Sequence, residues 1–140
     1  MKTGRFKVEI ETIEIPGFRY IDLPSRSTEQ GEYREGNDTN EKKVWGQTTW
    51  EDLKMERSLA PGSSELLDWR RAVEAGKADE GRKEIAVVLM NESGEAKIRW
   101  EFSNAWITEY GPPELDATAD GDVAIESVTV AYDKMDRTEL

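Results

Sequence analysis

The sequence predicts a mainly β (α+β) domain: an antiparallel β-sandwich or barrel with one α-helix attached and one long extended loop. Three observations predict it. Apolar and polar residues alternate with period two in several short runs, Gly, Pro and Asn punctuate those runs at short intervals, and a helical period occurs in a single stretch. With 140 residues the chain has the length of one ordinary domain, and residues 1–140 are read as one.

The first run is Phe6 to Ile15, with Phe6, Val8 and Ile10 on one face and Lys7, Glu9 and Glu11 on the other, as a half-buried strand requires. Its parity inverts at Ile13 and Ile15, which a bulge or twist near Glu11-Thr12 would explain. Pro16-Gly17 makes a turn, Phe18 to Leu23 forms the next strand, and the two runs are expected to pair as a hairpin. Ser25 to Thr49 is rich in charge, carries Gly31, Gly36 and Gly46, and has only Tyr33, Val44 and Trp45 as large apolar residues. A connection of that length in a compact domain is functional or disordered, and it is read as an arm over residues 25–49.

Leu53 and Met55 mark a strand that ends before Pro61-Gly62. A helix over residues 64–76 follows: Ser63 or Ser64 is its N-cap, Glu65 lies in its first turn, Leu66, Trp69 and Val73 share one face, and Gly76 stops it. Lys83 to Met90 is apolar on both parities and reads as a strand covered on both sides. Asn91 to Gly94 is a turn, after which Ile98, Trp100 and Phe102 alternate with Arg99 and Glu101. Trp106 is placed just beyond that strand's end, Gly111-Pro112-Pro113 opens an acidic loop, and a last strand runs from about Val123 to Tyr132.

Composition excludes whole classes of chemistry. The net charge of −11 repels phosphate backbones, so sequence-independent nucleic-acid binding is not expected. With no Cys and no His, disulfides, thiolate nucleophiles, imidazole metal sites and Ser-His-Asp relays are absent. Carboxylates are the remaining catalytic resource, and no pair of them sits where one pKa would be raised above its neighbour's. Asp116 to Gly121 looks like the start of a calcium loop, but Thr118 occupies the third position and Ser127 the twelfth, where a bidentate Glu is required. No cofactor or metal is implied, and an enzyme is not expected. No stretch has the length of a membrane span, and the start leads directly into strand alternation, so production in the cytoplasm and no membrane partner are expected. Trp69, Trp100 and Phe102 have core periodicity, whereas Trp45 and Trp50 beside the arm and Trp106 are placed as interface aromatics would be.

In order along the chain, these elements resemble the tail tube proteins of contractile phages and of phage-derived contractile injection systems. The resemblance is carried by the first strand leading to Gly17-Phe18, by Gly31-Glu-Tyr33-Arg34-Glu35-Gly36, and by the helix with Leu66 to Trp69. It continues through Phe102-Ser-Asn104-Ala105-Trp106, the run from Tyr110 through Pro113 to Leu115-Asp116, and the final strand. One departure is that Glu56-Arg57-Ser58 stands where tube proteins commonly have Arg-Gly.

The resemblance implies a β-barrel-like subunit of hexameric rings that stack into a hollow tube inside a contractile sheath. Sheath, baseplate and terminator proteins would be its partners, and DNA or protein cargo would pass the lumen without specific binding. The particle would be a virion or a phage tail-like assembly, and the arm would reach a neighbouring subunit. The implied subunit-interface residues are Gly17, Phe18, Tyr33, Arg34, Glu35, Gly36, Trp45, Trp50, Asn104, Trp106, Pro113, Leu115 and Asp116. The alternative from another class is a monomeric β-domain that binds carbohydrate or peptide through exposed Trp45, Trp50 and Trp106. The acidity suits a lumen that does not retain anionic cargo, or a salt-rich cytoplasm. The second is favoured because Asp and Glu occur in almost every segment from Glu9 to Glu139.

Overall fold

The computed structural model describes residues 2–33, 42–118 and 121–140, with the backbone alone at residues 33 and 42. Ten strands and two helices follow in order: β1 (Phe6–Ile10), β2 (Ile13–Ile15), β3 (Phe18–Asp22), β4 (Arg26–Tyr33), β5 (Lys42–Trp50), β6 (Leu53–Ser58), α1 (Glu65–Glu74), α2 (Ala78–Gly81), β7 (Lys83–Met90), β8 (Ala96–Gly111), β9 (Ile125–Ala131) and β10 (Lys134–Glu139). Eight strands form one antiparallel sheet in the order β2-β1-β7-β8-β9-β6-β3, with β10 also on β8, while β4 and β5 pair only with each other.

The sheet folds into two halves about β8. Residues Ala96 to Ala105 of β8 pair with β7, and residues from Trp106 onward pair with β9. The bend falls at Asn104, whose φ of 52° is one that Asn adopts more readily than most residues. Opposite it the chain breaks between β9 and β10. There Asp133 N–H donates to the Ser103 carbonyl at 2.9 Å, and Asn104 Nδ2 donates to Asp133 Oδ2 at 3.1 Å. The core fills the fold between the halves, with Val8, Ile85, Val87 and Phe102 meeting Leu53, Met55, Ile107, Val128 and Val130.

Helix α1 closes the core by burying Leu66 and Trp69. The expected N-cap Ser64 precedes it, though the Ser64 hydroxyl donates to Asp68 rather than accepting a backbone N–H. Gly76, with φ 71°, ends the helix as predicted. Trp69 Nε1–H donates at 2.7 Å to the Gly81 carbonyl, tying α1 to the short α2 that the periodicity does not reveal.

Four expectations are corrected. The inversion near Glu11-Thr12 is a chain reversal: Ile10 pairs with Ile13, and Glu11 and Thr12 have φ of 53° and 67°, the positive pair a two-residue hairpin turn needs. The strand from Phe18 does not pair with the first run but crosses to β6, with Ile21 opposite Met55. Trp106 lies within β8, which continues to Gly111 because Ala105, Ile107 and the bend keep that strand in the core. Finally, Val123 to Tyr132 is not the last strand: β10 follows as a mostly exposed strand on β8, with only Met135 packed against the core.

Candidate subunit interface

The arm is a β-ribbon. Arg26 pairs with Trp50, Thr28 with Thr48 and Gln30 with Trp45, with a bulge between Thr28 and Gln30. Thr, Val and Trp favour the pleated conformation, and the Thr28 and Thr48 hydroxyls lie 2.9 Å apart across the pair. Its root is tied to the domain by Glu51 N–H donating to the Ser25 carbonyl and by the Tyr132 hydroxyl donating to the Glu51 carbonyl, at 2.9 and 2.8 Å. Beyond the root, the described ribbon residues contribute nothing to the core. Trp45 is 87% exposed, and Trp50 lies under the Arg26 guanidinium at 4.8 Å. Arg34, Glu35 and Gly36 lie outside the described residues, and for Tyr33 only the backbone, at the end of β4, is described.

Gly17 and Phe18 converge on a residue that sequence reasoning missed. Phe18, Arg57 and Glu126 are register partners across β3, β6 and β9. The Arg57 guanidinium lies 5.9 Å from the Phe18 ring and donates through Nε to Glu126 at 2.9 Å, and both charged side chains are only 1% exposed. The Tyr110 hydroxyl donates to the other Glu126 oxygen at 2.6 Å, and Glu65 at the start of α1 accepts from Arg57 at 3.3 Å. A Cβ on Gly17 would stand 3.2 Å from Arg57 Cγ in a backbone with φ 94°, so glycine is required where the chain passes over this arginine. Burial, followed by the bond to Glu126, pushes the Tyr110 pKa up to about 12. A hydrogen bond from its own backbone N–H is the main cause that holds the Glu65 carboxyl below its ordinary range.

The remaining predicted residues occupy separate places. Asn104 makes the bend in β8. Trp106, half-buried, lines a pocket with Val73, Lys77, Ala78 and Arg82. Pro113 is half-buried at the base of the loop after β8, whereas Leu115 is 88% exposed. Asp116 accepts from both the backbone N–H and the hydroxyl of Thr118, and these bonds hold its carboxyl below the ordinary range. The three tryptophans of a carbohydrate- or peptide-binding reading therefore do not share a cleft: Trp45 is bare on the ribbon, Trp50 is stacked under Arg26 and Trp106 stands beside α2.

The sequence matches the family model described as T4-like virus tail tube protein gp19 over residues 2–136. The chain belongs to that tail tube family. Solved structures agree with the assignment. A chain from the sheath–tube complex of PVC, an extracellular contractile injection system, in its extended state is 28% identical, covering 100% of this chain and 92% of that one with a TM-score of 0.87. A chain from the PVC sheath/tube terminator is 29% identical, with 99% and 96% covered and a TM-score of 0.86. A chain from the tube-terminating cap of the anti-feeding prophage is 26% identical, with 100% and 91% covered and a TM-score of 0.86. No curated protein matches the sequence significantly. The tube protein thus has the predicted antiparallel β fold, in a family whose members are structural subunits and not enzymes. Among its described residues no helix is long and apolar enough to cross a membrane.

Proposed function

We propose that this chain is the repeating subunit of the hollow inner tube of a contractile injection system or contractile phage tail. Six copies form a ring, rings stack inside a sheath, and the bore conducts protein cargo or DNA without binding it specifically. Assembly takes place in the cytoplasm in which the protein is made, and sheath, baseplate and terminator proteins of the same particle are the further partners. The interface residues predicted from sequence act in contacts between copies.

The observation that carries this reading, beyond family membership, is the β4–β5 ribbon. A two-stranded ribbon is marginal in water by itself, and this one stands off the sheet with Trp45 bare. A neighbouring subunit is the surface that would cover it. The contact is heterologous, one copy's ribbon on another copy's body, and such contacts close into rings when their rotation allows. Light scattering of the purified protein tests the proposal: with rising concentration the mass should step from 15.9 kDa to six times that value and then to multiples of the ring. A constant monomer mass would refute it.

A further inference from the structure

Two features of the surface complement one another. The first is a pocket of about 220 Å³ where α1 gives way to α2, lined by the apolar Val73, Ala78 and Trp106 together with the basic Lys77 and Arg82. A cavity of roughly 150 Å³ already accepts a benzene-sized guest, so this one has room for a branched aliphatic side chain. The second is the Glu114-Leu115-Asp116 segment, in which a leucine 88% exposed stands between two exposed carboxylates. Pro112 and Pro113 restrict the backbone before it, and the Asp116–Thr118 hydrogen bonds fix the turn after it. Leu115 is therefore a preorganised apolar knob, and docking it costs little loop entropy.

We propose that Leu115 of one copy inserts into the Trp106 pocket of the next, with Glu114 and Asp116 facing Lys77 and Arg82. The occupant is a second copy of this chain because knob and pocket match in size, polarity and charge sign. Lys77 reaches the exposed Glu80 at 3.7 Å, and Arg82 reaches the exposed Asp133 at 3.8 Å and donates to the Asn104 carbonyl at 3.4 Å, long surface contacts that are weak and open to exchange. Because pocket and knob are different patches, the contact is heterologous and continues around a ring. The inference rests on the tube-subunit reading and adds a specific pair of surfaces to it.

The absence of cysteine from the chain makes a direct test possible. A double variant, Ala78→Cys with Leu115→Cys, oxidised under assembling conditions, should give a ladder of covalent oligomers on a denaturing gel, while either single variant should lack the ladder. In parallel, Lys77→Glu should weaken assembly at least tenfold in the concentration required, and adding Glu114→Lys should restore it. Rings of the double variant without a ladder, together with Lys77→Glu rings at wild-type concentration, would overturn the pairing and leave the tube reading standing. A wild type that never assembles would overturn both.

Discussion

Burying Arg57 against Glu126 takes two full charges out of water, and their direct bond, the Tyr110 hydroxyl and Glu65 together offset that cost. Removing Glu126 leaves the buried Arg57 guanidinium with only the longer contact to the more exposed Glu65. Glu126→Gln should therefore destabilise the fold by about 3–5 kcal/mol, lowering Tm by roughly 10 °C or more in a calorimetric scan. Tyr110 adds a pH dependence. Its pKa of about 12 in the folded chain exceeds the value near 10 of an unperturbed tyrosine, so the unfolded chain loses its proton first. The stability it contributes is complete below about pH 10 and is lost as pH rises from there through about 12. Denaturant midpoints over that range should fall less steeply in Tyr110→Phe than in the parent. This network was legible in part. Leu53, Met55 and Arg57 share a parity, as do Glu126, Val128 and Val130, so a charge stands at an apolar position in each strand. What alternation does not show is that the two positions are opposite one another, since that depends on the pairing of β6 with β9.

Elements with a buried face were the ones the sequence revealed: β7, the first half of β8, β9 and α1 all carry the period of their secondary structure. The ribbon and β10 did not, because most of their described residues are exposed and neither face selects apolar side chains. The β1–β2 turn was hidden for another reason. Glu11 and Thr12 lack the Gly or Asn that marks such turns, and tertiary bonds support the reversal instead: Glu11 N–H donates to the Glu84 carbonyl, and Glu84 N–H donates back to the Glu11 carboxylate. The ribbon's separation from the core has a testable consequence. Replacing Glu29 to Lys43 by a short Gly-Ser bridge should change the stability of the isolated subunit by no more than about 1 kcal/mol and abolish assembly. Loss of the folded state in circular dichroism would show that the segment supports the core after all.

For the whole molecule, the charge of −11 opposes both compaction and the approach of further copies. Raising the salt from about 0.01 M to 1 M shortens the Debye length from about 30 Å to 3 Å, so Tm and the extent of assembly should both increase over that range. A flat response would place the carboxylates where repulsion is already relieved, for example along an open bore. The order of elements along the chain identified the family before any coordinate did, because the combined sequence from Phe6 to Tyr132 is specific even though each piece is short. Which of the candidate interface residues face one another across copies was not legible, since an interface side chain follows no periodicity within its own chain. Electron microscopy of the purified protein at high concentration and moderate salt tests the central claim most directly. The tube-subunit account predicts six-fold annular particles with an open centre that stack into rods, and a field of solid particles of monomer size under all those conditions would contradict it.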